Sequence, residues 1–210
     1  MKLVLATRNR HKIAEMLSLI GDLEGLECIS LDRFPEAPEV VEDGQTLRDN
    51  AVLKVRQAVF STGLVCLAED TGLEIDALGG RPGVWSARFA GEGARYEENV
   101  DKVLRLMEDV PPEERAARFR SVVAVQGPDD QPRIFEGICP GRIIGECRGC
   151  GGFGYDPIFV PAGHRQTFAQ LEAEKKNRIS HRAKALTFAR NYLIELVSRT
   201  SQDRGVAQSG

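Results

Sequence analysis

The chain has 210 residues, a length that predicts one large domain or two closely joined lobes at about 150 residues per domain. Hydrophobic residues make up 42% and charged residues 28%, the balance of an ordinary globular protein. The 28 Lys and Arg residues face 31 Asp and Glu residues, which gives a net charge of −3. Because affinity for polynucleotides comes largely from cationic neutralisation of phosphates, this balance argues against a nucleic-acid partner. A few local cations could still hold a small phosphorylated ligand.

The N-terminus carries only a short apolar run before charged residues resume, too short for a signal peptide. No later stretch approaches the roughly 18 apolar residues of a membrane span. These features predict a cytoplasmic protein with no membrane partner. The five cysteines are scattered and odd in number, which is not a disulfide framework. Cys147 and Cys150 form a C-x-x-C pair, but no second pair accompanies it, so we expect neither a zinc site nor redox chemistry.

The first half of the chain alternates predicted strands and helices. Apolar residues at helical spacing follow the first strand up to Gly21, a suitable helix C-terminus. Thr46 is a suitable N-cap for a second helix. Two apolar runs flank Glu69-Asp70-Thr71-Gly72, which we expect to separate them. The predicted strands cover residues 2–6, 26–31, 65–68 and 73–78.

The second half predicts a helix, a hairpin, a short strand and a long final helix. The hairpin turns at residues 127–130, Gly-Pro-Asp-Asp. Strands alternating with helices and one hairpin predict an α/β fold with a mixed sheet. We expect one two-lobed domain over residues 1–200 and a disordered tail over 201–210. The predicted helices cover residues 96–107 and 180–199, and the predicted strands cover residues 117–126, 133–144 and 158–160.

Residues 7–12, Thr-Arg-Asn-Arg-His-Lys, join a predicted buried strand to a helix. Such a junction exposes backbone N–H groups at the positive end of the helix dipole, which suits an anion. Thr7 and Asn9 add a hydroxyl and an amide, and Lys12 adds a charge that suits phosphate. The segment predicts a phosphate-binding loop; the alternative is a solvated cationic loop in which Asn9 caps the helix.

Two acidic pairs are candidates for metal binding or acid–base chemistry. Glu69 and Asp70 lie where we expect a strand to stop, a favourable place for functional side chains. A carboxylate there can be an oxygen ligand for Mg²⁺ or a base for water. Glu42 and Asp43, in an acidic loop before the second helix, could meet them in space. The alternative is a structural turn, because Asp-Thr-Gly is also a good turn sequence.

Residues 149–154 match G-x-G-x-x-G by letter. A dinucleotide-binding fingerprint should open a helix, whereas Pro157 follows here and keeps the preceding residue away from helical geometry. The strict P-loop sequence is absent. The loop could still bring backbone close to a ligand and stack the Phe153 ring on a base. The alternative is a loop that crosses between lobes and binds nothing.

Cations gather in residues 175–182, Lys-Lys-Asn-Arg-Ile-Ser-His-Arg. Ser180 can cap the last helix, which leaves His181 and Arg182 in its first turn. Because cations at a helix N-terminus oppose the dipole, we expect an anion to compensate them. The alternative is an exposed charge cluster.

Taken in order, these segments resemble the inosine triphosphate pyrophosphatase family over nearly the whole chain. The family's opening T-x-N-x-x-K is matched by Thr7, Asn9 and Lys12. Each motif alone is weak, but the ordered series is specific. The further matches are Glu42 to Ala51, Glu69 to Leu73, Leu78 to Phe89, Gly151 to Pro157 and Ile179 to Arg182.

Four positions depart from the family pattern. Arg8 stands where the family usually has glycine, which would narrow the first loop or add a phosphate contact. Leu47 and Asp49 replace the usual Phe and Glu, and Cys150 replaces a small hydroxyl residue. The change at Cys150 further weakens any special role for the C-x-x-C pair.

The resemblance implies an ITPase-like fold, with a long mixed β-sheet and flanking helices that form two lobes around a cleft. It implies a homodimer with Mg²⁺ as cofactor, at least one ion per subunit. It also implies hydrolysis of ITP, dITP and XTP at the α–β phosphate bond, which yields the monophosphate and pyrophosphate. Such an activity cleanses the nucleotide pool and prevents misincorporation into DNA and RNA.

The resemblance also assigns roles to individual residues. Asp70 would be the proton acceptor, and Glu42 and Asp70 would be the metal ligands. The residues expected to contact the purine nucleoside triphosphate are Thr7, Arg8, Asn9, Arg10, His11, Lys12, Thr71, Phe153, Gly154, Tyr155, Asp156, Lys176, His181 and Arg182.

Base selection has a simple physical reason in this assignment. Hypoxanthine and xanthine carry an oxygen acceptor at position 6, whereas adenine carries an amino donor. A donor such as Arg182 pairs with the first and is left unpaired by the second, which can reject the analogue by several powers of ten. This donor does not explain the rejection of GTP. Two alternatives stay open: a pyrophosphatase for standard or modified pyrimidine nucleotides, and a nucleotide-binding regulatory module without catalysis.

Overall fold

Six strands of the described residues form one mixed sheet in the spatial order β2-β1-β3-β4-β5-β6. The structure is a computed structural model that describes residues 1–207, with side chains as far as residue 199. Strand β1 is parallel to both its neighbours, and the pairs from β3 to β6 are antiparallel. The strands are β1 (Lys2–Leu5), β2 (Glu27–Ser30), β3 (Val65–Ile75), β4 (Ala116–Gln126), β5 (Arg133–Ile143) and β6 (Phe159–Pro161).

Five α-helices of the described residues flank this sheet. They are α1 (Arg10–Ile20), α2 (Leu47–Thr62), α3 (Tyr96–Leu106), α4 (Ala173–Ile179) and α5 (His181–Ala207). Helix α2 packs on one face of the sheet through Ala51 and Val55, and α1 and α5 cover the other face through residues such as Met16 and Leu186. Helix α3 closes a third cluster at the far end of β3 and β4. The predicted α/β fold, with a long mixed sheet and two lobes around a cleft, is confirmed.

The acidic motif does not interrupt a strand, as the sequence led us to expect. Strand β3 runs unbroken from Val65 to Ile75, and β4 pairs with it through the motif, with Glu69 opposite Val123 and Thr71 opposite Ser121. The prediction of two separate strands was therefore wrong, and the alternative of a structural turn at the motif does not hold either. Gly72 is required for a different reason: a Cβ atom there would lie 2.4 Å from the Gly83 carbonyl oxygen, which crosses close by.

Most other predicted elements are confirmed, with differences at their ends. Thr46 caps α2 in a reciprocal capping box with Asp49, and the Ser180 hydroxyl accepts from the Ala183 amide at the start of α5. Helix α4 was not predicted, because seven mostly polar residues show no apolar period. Helix α5 reaches Ala207 instead of ending at Arg199. The tail expected over 201–210 otherwise lies outside the described residues and stays a prediction.

The cleft opens where β1 ends. The last ladder contacts of β1 join Leu5 to Leu67, and the Ala6 amide then donates to the Leu67 carbonyl at 2.7 Å. Strand β3 continues for eight more residues without β1 beside it. Glu69 and Asp70 therefore lie beside the loop that leaves β1. Within residues 1–207, no helix is both long and apolar enough to cross a membrane.

Candidate active site

A cleft of about 340 Å³ lies over the end of β1 and collects most of the predicted site residues. Arg10 and His11 are the exceptions: both are exposed and neither lines the cleft. The His11 ring instead stacks on Phe153, with ring centroids 5.2 Å apart. The predicted residues that line the cleft are Thr7, Arg8, Asn9, Lys12, Glu42, Asp70, Thr71, Phe153, Gly154, Tyr155, Asp156, Lys176, His181 and Arg182.

The loop between β1 and α1 is held by its own side chains. The Asn9 Oδ1 atom accepts from the amides of His11 and Lys12 at 3.0 and 3.2 Å. Asn9 therefore caps α1, and the loop also lines the cleft. The amides of His11 and Lys12 already have an acceptor in the Asn9 side chain. Arg8 donates from Nη2 to the Ala37 carbonyl at 2.9 Å, so its guanidinium ties two loops together.

One face of the cleft carries a compact group of charges built on Lys54. Its ammonium donates to Asp70 Oδ1 at 2.7 Å and to Glu42 Oε1 at 2.9 Å. The Asn50 amide nitrogen donates to Asp70 Oδ2 at 3.3 Å. Helix α2 thus supplies both donors that hold the Asp70 carboxylate.

The ionisation of this group follows from burial and neighbouring charge. Burial raises the pKa of Asp70 above its ordinary value, against the opposing effects of Lys54 and Lys12. Burial would also raise the pKa of Glu42, but the Lys54 charge lowers it below the ordinary value. Although burial of Lys54 favours the neutral amine, Asp70 and Glu42 outweigh it and raise the Lys54 pKa. Lys54 is therefore a fixed cation between two acids.

The opposite face of the sheet carries a chain of alternating charges that runs from Lys12 through Glu69 and Arg182 to Glu15. Glu69 Oε2 lies 3.2 Å from Lys12 Nζ, and Glu69 Oε1 lies 2.9 Å from Arg182 Nε. Arg182 also donates from Nη1 to Glu15, which lies three residues after Lys12 on α1. Burial would raise the pKa of Glu69, but Arg182, Lys12 and the Ser121 and Thr71 hydroxyls hold it well below the ordinary value. The anion expected to compensate Arg182 is thus supplied by the protein.

Lys176 is also buried, so the alternative of an exposed charge cluster does not hold at this position. Its ammonium donates to Asp156 Oδ2 at 2.6 Å and to Glu15 Oε1 at 2.8 Å. Asp156 in turn accepts from the Phe153 amide at 2.9 Å. Gly152 permits this turn, because its φ is +69° and a Cβ atom would lie 2.0 Å from the Asp156 carboxylate.

The aromatic side chains and His181 complete the cleft. Phe153 lies near Tyr96, with ring centroids 6.0 Å apart, and below the Arg182 guanidinium at 5.4 Å. His181 is buried and stacks on Phe119 with centroids 4.6 Å apart. Burial, with the Arg182 charge, lowers its pKa well below the ordinary value, so His181 is neutral. Tyr155 donates its hydroxyl to the Ser86 carbonyl at 2.9 Å and so braces the wall of the cleft.

Several residues of this site were missed in the sequence. Lys54 lies four residues after Asn50, one helical turn along the face of α2 that packs on the sheet. Glu15 follows Lys12 at a spacing of three residues, which places both on one side of α1. This spacing of polar residues on otherwise apolar helix faces was the available signal. Tyr96 lies outside the sequence motifs, so no such signal pointed to it.

The acids suit a hard divalent cation. Glu42 and Asp70 converge on a point that already attracts a cation, the Lys54 ammonium. Carboxylate oxygens are the ligands that Mg²⁺ prefers, and one or two of them suffice when substrate phosphates complete its shell. Within the described residues, no three His, Cys, Asp or Glu side chains form a metal-binding group. Cys147 and Cys150 are exposed free thiols.

The fold and the cleft define an α/β protein with adjoining acidic and cationic groups suited to a phosphorylated ligand and a metal ion. The chain belongs to the Ham1 family, whose model matches residues 3–192. The family resemblance drawn from the sequence motifs is confirmed.

Named relatives and solved structures agree with this membership. The chain is 50% identical to a dITP/XTP pyrophosphatase of Desulforamulus reducens over 93% of its own length and 97% of that protein. It is 45% identical to a dITP/XTP pyrophosphatase of Geobacter sulfurreducens, covering 91% and 96%. A Ham1 protein structure from Coxiella burnetii matches with a TM-score of 0.84 at 42% identity, over 93% of this chain and 99% of that one.

Proposed function

We propose that this protein is a metal-dependent hydrolase that converts ITP, dITP and XTP to the monophosphate and pyrophosphate. The observation that carries the proposal is the meeting of Asp70, Glu42, Lys54 and Lys12 in one cleft. The names of the relatives, dITP/XTP pyrophosphatases, support this substrate class. The activity removes non-standard purines from the nucleotide pool before they are incorporated into DNA and RNA.

The triphosphate needs several positive charges, and this chain supplies them around the end of β1. Lys12 lies in the first turn of α1, beside the positive end of the helix dipole. Lys54 lies beside Asp70, where it can neutralise charge that develops on the phosphate during reaction. Glu42 and Asp70 would hold Mg²⁺. The ion would supply Lewis-acid stabilisation of the phosphate oxygens.

Asp70 is the proton acceptor in this proposal. Its carboxylate takes a proton from a water molecule as the water oxygen forms a bond to the α-phosphorus. The bond from the α-phosphorus to the bridging oxygen breaks, and pyrophosphate leaves with that oxygen. Lys54 and Asn50 fix the orientation of the carboxylate during this step, because each donates to a different Asp70 oxygen.

Base recognition falls to the other end of the cleft. Phe153 offers a ring face for a purine, and Arg182 Nη1 carries two hydrogens, of which one is donated to Glu15. The second hydrogen suits the 6-oxygen of hypoxanthine or xanthine. Because His181 is neutral and lines the same end of the cleft, it can contribute one donor or one acceptor.

A substrate panel tests the proposal directly. Purified protein with Mg²⁺ is incubated with ITP, dITP, XTP, ATP, GTP, dTTP and UTP, and pyrophosphate and orthophosphate are measured separately. We expect pyrophosphate from the first three nucleotides. Equal turnover of ATP and GTP would contradict the specificity for non-standard purines. Preference for dTTP or UTP would favour a pyrophosphatase for pyrimidine nucleotides. Release of orthophosphate alone would exclude cleavage at the α–β bond. Tight ITP binding without hydrolysis would identify a regulatory module.

The homodimer stays a prediction of the family resemblance, and the cytoplasmic location and the single domain over 1–200 stay predictions from the sequence. Light scattering on protein eluted from a size-exclusion column measures the oligomeric state, and the homodimer should have a mass of twice 23.1 kDa. A monomer at micromolar concentration would contradict it.

A further inference from the structure

Glu42 lies in a segment without regular structure, yet its carboxylate must keep a fixed relation to Asp70 across the cleft. No helix or strand of the described residues lies between residue 33 and α2. The backbone around Glu42 therefore needs other partners to define its position. Two are present, one on each side: Asn50 binds the Gly44 amide at 2.9 Å, and Arg88 binds the Glu42 carbonyl at 2.6 Å.

Asn50 is an unusual residue for its place. It is fully buried in the first turn of α2, on the face that carries Leu47 and Ala51. Asparagine is a poor helix former, and burying its amide costs free energy unless both ends are hydrogen-bonded. Both ends are bonded: Oδ1 accepts from Gly44, and Nδ2 donates to Asp70 Oδ2 at 3.3 Å. One amide therefore joins the loop of one acid to the carboxylate of the other.

Gly44 allows this join to be close. A Cβ atom at position 44 would lie 2.5 Å from Asn50 Oδ1 and 2.7 Å from Asp49 Cβ. Any larger residue would push the loop away from α2 or break the bond to Asn50. The glycine and the asparagine thus form one contact that can be broken from either side.

Arg88 holds the other side of the loop from a well-anchored segment. It ends the short helix Gly83–Arg88, in which the Ser86 hydroxyl accepts from the Leu73 amide of β3 at 2.9 Å. The Arg88 guanidinium lies 4.6 Å from the centre of the Trp85 ring. It also lies 3.3 Å from the exposed carboxylate of Glu92. A side chain fixed in this way can fix the carbonyl that it binds.

We propose that Asn50 and Arg88 are positioning residues that hold the Glu42 carboxylate against Asp70. The proposal rests on the proposed function, in which these two acids hold a divalent cation. Partners that orient metal ligands in this way typically change metal affinity about 10–100-fold when removed. The contribution of Asn50 and Arg88 is therefore measured in cation affinity as well as in turnover.

Binding of Mn²⁺, followed by the loss of its free-ion EPR signal, tests the proposal on the full chain without any hydrolysis. Asn50→Leu introduces a good helix former of similar size and removes the bonds to Gly44 and Asp70. Gly44→Ala breaks the contact with Asn50 from the side of the loop. Arg88→Met keeps the stem without the donor, and Arg88→Lys restores a cationic donor. We expect Mn²⁺ binding about tenfold weaker or more in the first three variants, with most of the affinity recovered in Arg88→Lys.

Two matched controls separate positioning from general loosening. Thr46→Ala removes the cap of α2 and leaves the Asn50 bonds in place, and Glu92→Gln removes only the exposed partner of Arg88. Both should bind Mn²⁺ as the wild type does. Wild-type Mn²⁺ affinity in Gly44→Ala and Arg88→Met overturns the proposal, even if Asn50→Leu does not fold. A loss of Mn²⁺ affinity in Thr46→Ala as large as in these variants also overturns it.

The wild type itself distinguishes the two levels of inference. If it binds Mn²⁺, and Glu42→Gln and Asp70→Asn weaken that binding, the metal assignment stands and the variants judge the positioning role alone. If the wild type binds no Mn²⁺, with or without an α,β-methylene nucleotide, the metal part of the proposed function fails and the positioning proposal fails with it.

Discussion

Glu69 and Asp70 are consecutive residues of β3, and their carboxylates lie on opposite faces of the sheet. Alternation along a strand requires this, and the contacts follow it: Glu69 binds Lys12 and Arg182, whereas Asp70 binds Lys54 and Asn50 of α2. Burial favours a higher pKa for both acids, but their neighbours leave them with opposite shifts. The pKa of Glu69 is held well below its ordinary value, and that of Asp70 is raised. Glu69 therefore suits a structural role, and Asp70 suits acid–base chemistry.

Asp70→Asn should remove the base and leave the fold in place, because the amide keeps the size of the carboxylate. General bases contribute about 10²–10⁴-fold to rate, so we expect kcat for ITP to fall by that factor. Pyrophosphate release measures it, and thermal unfolding checks the fold. Asp76→Asn is the matched control, since Asp76 pairs with Arg118 outside the cleft. Retained turnover in Asp70→Asn would remove Asp70 from the role of base.

Glu69→Gln should act mainly on stability. It leaves Lys12 and the buried Arg182 without a shared anion, and breaking a buried ion pair costs about 3–5 kcal/mol of unfolding free energy. Because the Glu69 pKa is lowered on folding, its stabilisation is complete above the unfolded value of 4.5 and is lost as the pH falls through the folded value. Denaturant unfolding should therefore show a large gap between wild type and variant at neutral pH.

Below pH 4.5 the gap in unfolding free energy between wild type and variant should narrow. Glu69 takes up a proton first in the unfolded wild type and, at lower pH, in the folded one. Glu24→Gln is the control, because Glu24 is exposed in a turn and carries no such network. A gap that stays constant down to the acid limit of folding would show that the charge of Glu69 contributes nothing to stability.

Elements of the fold that depend on neighbouring residues could be predicted from the sequence, and elements that depend on distant strands could not. The hairpin of β4 and β5 and the start of α2 were predicted because each is signalled by adjacent residues, a turn sequence in the first case and the N-cap residue Thr46 in the second. The continuity of β3 was not, since the Asp-Thr-Gly sequence is typical of a turn. Only the pairing of β4 along its whole length overrides that preference.

The site divides in the same way. Residues in dense motifs, such as Lys12, Asp70 and Arg182, were placed correctly in the cleft. Lys54 and Glu15 were not found, because neither belongs to a dense motif and their ion-pair partners lie at least 12 residues away in the chain. In the sequence, a charged residue of an amphipathic helix is not distinguishable from a solvent-exposed one. Only the packing of the helix on the sheet shows that its side chain is buried in an ion pair.

Lys54 should set the pH at which Asp70 loses its activity as a base. Burial raises the Asp70 pKa, and the Lys54 charge opposes that rise. Because only the ionised carboxylate accepts a proton, kcat/KM should fall as the pH drops through this pKa. Lys54→Met removes the opposing charge, so the acid limb should move to higher pH.

The profile is measured with ITP at saturating Mg²⁺, so that metal occupancy does not change with pH. Lys184→Met is the control, because Lys184 donates to the Ile138 carbonyl outside the cleft. An acid limb that stays in place in Lys54→Met, whatever the loss in rate, would assign that limb to another group.

Arg182 should determine the preference for ITP over ATP. Its planar fork binds Glu15 and Glu69, and Arg182 lines the cleft. In the proposed function an Nη hydrogen pairs with the 6-oxygen, an arrangement that an ammonium does not reproduce. Arg182→Lys keeps a buried cation beside Glu69, while the planar donor proposed for the 6-oxygen is lost. We expect the ratio of kcat/KM for ITP to that for ATP to fall about tenfold or more, mainly through ITP. Arg190→Lys is the matched control, since Arg190 lies two turns along α5 and pairs with Asp22 at the surface. An unchanged ratio in Arg182→Lys would place base selection on other groups of the cleft, with the neutral His181 the next residue to test.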